Sequence, residues 1–278
     1  MTTTQYELLH RIESRGLAGS LLVFGIKQAW AALFGGLMLL GLVATAVAPV
    51  PGVHRYDVLF VWALAVQAFM LLARLERPHE VVTITVFHLV GLGMELFKTS
   101  PGVGSWAYPG VEESVFRVAT VPLFSGFLYA AVGSYIARAW RVLDLRLTHP
   151  PLRVLTVVLA VAIYGNFFVN RTGVDLRLLL FLAMVLLWVR TWVHYRPGRR
   201  VRRMPLLVGL VLIAAFVWIA ENVGTFTGTW LYPHQVGTWE PVGVDKFGSW
   251  LLLLVLAFVS VDVLEAARDR MRRARRRG

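Results

Sequence analysis

The chain contains no cysteine, which removes disulfides, thiolate nucleophiles and cysteine-ligated zinc together. Its histidines (His10, His54, His79, His88, His149, His194 and His234) include no His-x-x-His or His-x-x-x-His pair. Neither a multi-histidine metal centre nor any other cofactor is expected. No GxxxxGK[ST], GxSxG or HExxH string occurs, so phosphate cradles, serine elbows and zincin helices have no sequence support. Lysine is scarce, 3 residues against 25 arginines. The N-terminal stretch has no short apolar core followed by a small-residue cleavage site, so the first apolar run is expected to serve as the insertion signal.

Apolar residues fill that space. They make up 57% of the chain, with a mean hydropathy of +0.65, beyond the usual range of soluble domains. Eight runs approach the ~20 residues that cross a ~30 Å hydrocarbon layer: about 21–48, 57–74, 81–97, 118–138, 152–170, 175–195, 204–223 and 246–264. The first is overlong. Unbroken runs exclude the alternation of a membrane barrel, and lipid admits no other spanning structure than helices. The expected fold is therefore all-α, a polytopic bundle of eight transmembrane helices forming one membrane domain over residues 1–278.

The net charge of +12 would point to nucleic acid in a soluble chain, but here the position of the cations decides. With the N-terminus inside, the inner segments hold 22 of the Lys and Arg residues and the outer loops hold 6: Arg55, Lys98, Arg117, Arg171, Arg177 and Lys246. That is the positive-inside bias, which places both termini in the cytoplasm and membrane lipids, rather than nucleic acid, as the partner. The basic tail over 266–278 is placed to touch anionic headgroups. The segment Tyr6 to Arg15 reads equally as an interfacial helix or a solvated tail.

The string Gly-x-Trp-x-Tyr-Pro occurs twice, as Gly104 to Pro109 and Gly228 to Pro233, each time after a glutamate in an apolar run. Glu95 and Glu221 lie 126 residues apart, and Trp106 and Trp230 lie 124 apart. Gly52-Val53 and Leu59-Phe60 recur 121 residues on as Gly173-Val174 and Leu180-Phe181, and Arg77-Pro78 recurs 119 residues on as Arg196-Pro197. This offset divides the chain into halves of about 20–140 and 150–265. Four spans per half is an even number, so the two repeats are parallel, related by an axis along the membrane normal.

Carboxylates inside apolar spans are costly and mark functional sites. Glu95 and Glu221 are the candidate catalytic pair, just below the outer aromatic loops. His88 and Glu95 share a helix face but stand about 10 Å apart along the axis, too far to bond. Asn222 and Thr225 accompany Glu221, and Ser125 and Tyr129 lie at the same level on span 4. Together with Trp106, Tyr108, Trp230 and Tyr232 they form the candidate substrate-binding set. Two carboxylates in one dry site do not both ionise cheaply, so one is suited to act as acid and the other as base, while the aromatic faces suit a cation. The structural alternative pairs Glu95 with Lys98 or His88, and Glu221 with Lys246.

Three long stretches carry a resemblance: Phe87 to Pro109, Val121 to Tyr135 and Ala220 to Pro233. They resemble an uncharacterised bacterial membrane family, domain of unknown function 817, over about Phe24 to Val263. That implies a bacterial inner-membrane protein and supplies no catalytic residues. The acidic residue before a Gly- and aromatic-rich turn is also similar to membrane carotenoid cyclases and hydratases, which protonate isoprenoid chains.

The leading expectation is acid–base chemistry on a lipid or isoprenoid in a cavity facing the outer leaflet, with a hydrophobic small molecule as substrate. The alternative is a transporter or channel for a proton, cation or small basic solute. A transport path demands polar residues continuing toward the cytoplasm, where the sequence offers Gln67. An assembly protein, with both glutamates in salt bridges and no cavity, is the third class.

Overall fold

A computed structural model describes residues 12–13, 16–169 and 173–275. Most of the Tyr6–Arg15 segment, Asn170 to Thr172 and the last three residues lie outside this set. Helices occupy every apolar run. They are α1 (Leu17–Ala31), α2 (Leu33–Val47), α3 (Arg55–Leu72), α4 (Pro78–Lys98), α5 (Ser125–Val142), α6 (Arg153–Val169), α7 (Arg177–Trp188), α8 (Leu206–Phe226) and α9 (Val244–Arg275). Four of them are long and apolar enough to cross a membrane, or five when α1 and α2 count as one bent span; α6 and α7 are shorter apolar helices.

The overlong first run is two helices bent by 69°. The break frees the Trp30 carbonyl, and buried Arg138 of α5 donates to it while its guanidinium lies 5.7 Å from the Trp30 ring centre. A helix end buried in protein needs such a partner. The basic stretch from 266 continues the last helix to Arg275, making α9 a helix of 32 residues.

The fold is mostly helical, as expected, and two small antiparallel sheets join the helices. β1 (Arg117–Val118) pairs with β2 (Val121–Pro122), and β3 (Arg146–Thr148), β4 (Trp192–Tyr195) and β5 (Arg202–Pro205) form a three-stranded sheet. The run expected as helix from 118 begins in the first sheet and becomes helical only at Ser125, and the run expected to 195 ends in β4.

Two large apolar cores hold the bundle, with two smaller clusters beside them. One joins α5 to α9 through residues such as Ile163, Trp188, Leu210 and Val255. The other packs α2 and α3 against the aromatic loops, with Phe34, Leu59, Tyr108, Phe124 and Trp230. Tyr129 of α5 lies against α4 at Gly91, where a Cβ would collide with the ring. That close approach brings the phenol to the end of α4.

A buried carboxylate pair in aromatic cups

Glu95 sits in the last turn of α4 and is 4% exposed. Its Oε2 accepts from Trp106 Nε1 at 2.8 Å and from the Tyr108 hydroxyl at 2.9 Å. Its Oε1 accepts from the Tyr129 hydroxyl at 2.7 Å. Glu221, near the end of α8 and 5% exposed, is held in the same manner. Its Oε1 accepts from Trp230 Nε1 at 2.9 Å and from the Tyr232 hydroxyl at 2.7 Å. Gly224 makes the second cup possible, since a Cβ there would strike the Trp230 indole.

An indole N–H only donates. Burial, and next the adjoining carboxylate, push the Tyr108 and Tyr232 phenols well above their ordinary range, so both keep their protons and donate. The cups are therefore built from neutral donors around an acceptor.

The two loops are joined. Ala107 and Leu231 form a reciprocal bridge, with both N–H to O distances 2.9 Å. The Trp106 and Tyr232 rings meet edge to face, with centroids 6.2 Å apart. The indole bonded to Glu95 thus touches the phenol bonded to Glu221. Arg55 and Tyr56, at the start of α3, fasten the assembly. Arg55 donates to the Thr227 carbonyl, Thr229 Oγ1 and the Leu42 carbonyl, and the Tyr56 hydroxyl lies 3.0 Å from the Pro109 carbonyl and 2.9 Å from that of Thr229.

Between the two cups the Trp106 and Tyr232 rings are in contact. A narrow apolar crevice of about 10 Å³ lies to one side, between α4, α5, α6 and α9, walled by Phe87, Met94, Tyr129, Tyr164, Leu253 and Leu256. The Tyr164 hydroxyl is taken by the Val90 carbonyl at 3.3 Å. Tyr129 is thus the wall residue whose polar end reaches a carboxylate.

The remaining candidates fall into different places. Ser125 is fully buried beside Tyr108, its Oγ without a hydrogen bond of good geometry. His88 packs against Gly126 and lies 4.6 Å from the Phe127 ring centre, on the α5 side. Asn222 turns to the following loop, accepting from the Val242 N–H at 2.9 Å and donating to the Trp218 carbonyl. Thr225 accepts from Trp239 Nε1 at 3.1 Å. Lys98 lies 6.0 Å from the Phe97 ring centre, while Lys246 lies 4.4 Å from the Tyr232 ring centre and attracts Glu221. Among the described residues no group of three or more metal-ligating side chains comes together.

Sequence reasoning missed a second polar cluster at the opposite end of α4. Glu76, 3% exposed, accepts from Gln67 Nε2 at 2.7 Å and from Ser134 Oγ at 2.5 Å. Glu80 pairs with Arg141 at 3.0 Å, and Arg138 binds the Leu75 carbonyl. The signal was present: Glu76 immediately precedes the Arg77-Pro78 helix start.

Mostly helical, with four or five helices long and apolar enough to cross a membrane, the chain has the make-up of a membrane protein. The chain belongs to the family described as protein of unknown function DUF817, whose pattern matches residues 20–258. It is 41% identical over 246 residues to the uncharacterized protein YoaT of Bacillus subtilis (strain 168), covering 88% of this chain and 92% of that one. A solved structure, the cross-linked MvINS R77C trimer, aligns with a TM-score of 0.48 and 16% identity over 69% of this chain and 97% of the other. None of these names carries an activity, and none shows the expected likeness to carotenoid enzymes.

Proposed function

We propose that the protein performs acid–base chemistry on a lipid or isoprenoid chain lodged in the crevice beside Tyr129. One observation carries this reading: the phenol that walls an apolar crevice donates to buried Glu95 across 2.7 Å. An apolar chain would enter as the helices around this narrow crevice part. Tyr129 then gives it a proton while protonated Glu95 returns its own to the phenol oxygen, leaving Glu95 ionised. Glu221, linked to Glu95 through the Trp106–Tyr232 ring contact, supplies the second member of an acid–base pair, because two charges in one dry region repel. Asn222 and Thr225 take a positioning part by holding the 239–242 loop over the second cup.

In this reading the chain crosses a bacterial inner membrane eight times as two parallel four-helix repeats, with both termini cytoplasmic. Support for the repeat comes from α4 and α8, each of 21 residues and each followed by a loop whose Trp and Tyr return to its glutamate. The test compares lipid extracts of a strain lacking the gene with those of strains carrying wild type, Glu95→Gln or Tyr129→Phe. A lipid species should change only with wild type, while both variants accumulate normally in the membrane. Identical extracts from all four strains would remove the proposal.

The Gln67–Glu76–Ser134 cluster favours a second reading, proton or cation transport, because it extends buried polar groups toward the other membrane face. Under it, Glu76→Gln abolishes solute or proton flux in reconstituted vesicles. Under acid–base catalysis the same variant leaves lipid conversion in place.

A further inference from the structure

The β3–β4–β5 sheet lies at the end of α8 opposite Glu221, with Leu206 following β5 directly. A helix of 21 residues is about 30 Å long at 1.5 Å per residue, so the sheet stands where the chain enters the hydrocarbon layer. Its register sorts the side chains by face. Leu147, Val193 and Met204 stand opposite one another and pack on the apolar core. Strand side chains alternate between faces, so the neighbouring row Arg146–His194–Arg203 and the row Thr148–Trp192–Pro205 belong to the other face.

That face is cationic and aromatic. The Arg203 guanidinium lies 5.1 Å from the Trp192 ring centre, and Thr148 Oγ1 is 3.3 Å from His194 Nε2. Residues 190–203 contain six arginines, no lysine and no acidic residue. The acid that approaches from β3's side is Asp144, 3.4 Å from Arg146 and 3.8 Å from Arg196. From the N-terminal segment Glu13 accepts from the Arg199 N–H at 2.9 Å. One or two carboxylates do not balance this patch.

A topology signal requires only positive charge in a loop. Here the loop is folded, Arg146, His194 and Arg203 share one face of its sheet, and Arg203 stacks on a tryptophan. Arginine forks match phosphate oxygens two at a time, and tryptophan belongs at the headgroup level. We propose that the outer face of β3–β4–β5 is a docking surface for anionic phospholipid headgroups, with Arg146 and Arg203 gripping the phosphate and Trp192 seated beside the glycerol region. The nearest polyanion to a strand that runs straight into a membrane helix is the membrane surface itself.

The test uses the full chain purified in neutral detergent and titrated with dioleoyl phosphatidylglycerol or dioleoyl phosphatidylcholine. Lipid adducts are counted by native mass spectrometry and the melting temperature is followed in parallel. Phosphatidylglycerol should give retained adducts and raise the melting temperature, and phosphatidylcholine should do neither. Arg146→Gln with Arg203→Gln should weaken phosphatidylglycerol retention at least tenfold, whereas Arg268→Gln with Arg270→Gln, equal in charge, should keep it. Should the first pair fail to fold, His194→Glu sets a repelling charge in the same row and should give the same loss. Equal retention of both lipids, equal loss in the α9 pair, or no loss in either sheet variant would overturn the proposal. So would displacement of the lipid by a DNA duplex at equal charge concentration. None of these readouts depends on the chemistry at Glu95.

Discussion

At the scale of single residues, the site is defined by what each side chain is able to donate. Trp106 and Trp230 have one N–H each and no acceptor, and both spend it on a glutamate. Replacing Trp230 with Phe removes one of the two donors on Glu221 Oε1 and should cost about 1–3 kcal/mol, read as a lower melting temperature in detergent. Gly224→Ala should do at least as much harm, because its Cβ displaces the same indole. If both variants melt like wild type, the cup does not hold the loop. The paired strings single out both acids in the sequence, and five aromatics expected to bind substrate donate to them. Asn222 and Thr225 were placed with Glu221 because helix spacing gives a shared face. It does not give χ angles, and both side chains turn to the 239–242 loop instead.

At the scale of elements, the cups depend on α3 as much as on the helices that carry the acids. Arg55 and Tyr56 tie the start of α3 to both aromatic loops, although Arg55 figured in the sequence only as an outer-loop charge. Tyr56→Phe should loosen the Ala107–Leu231 bridge, seen as faster amide hydrogen exchange at those two residues with little change in α9. Unchanged exchange at the bridge would show that the loops hold each other unaided. Helix placement was legible because lipid-length apolar runs leave few alternatives. The small sheets were not, since strands of two to four residues show no useful alternation and their pairing is set by distant partners such as Arg146 with His194. The break at Ala32 was equally hidden, because the residue that satisfies the freed carbonyl, Arg138, lies more than a hundred positions away.

At the scale of the whole molecule, the arginine-rich sheet and the carboxylate cups occupy opposite ends of α8, so the chain has a charged pole and an aromatic pole. The absence of cysteine makes the proposed orientation directly measurable. A single cysteine at Glu240→Cys should react with an impermeant maleimide on intact cells, and one at Arg200→Cys should react only after lysis. Labelling of both from the same side would overturn the eight-crossing arrangement. The acid–base account is tested most directly by lipid conversion in Glu95→Gln, Glu221→Gln and the double variant. Residues that work as one unit lose activity together and not additively. Each single replacement should abolish the lipid change, with the double no worse than either. Conversion that survives in one single variant, or losses that multiply independently, would contradict a shared site.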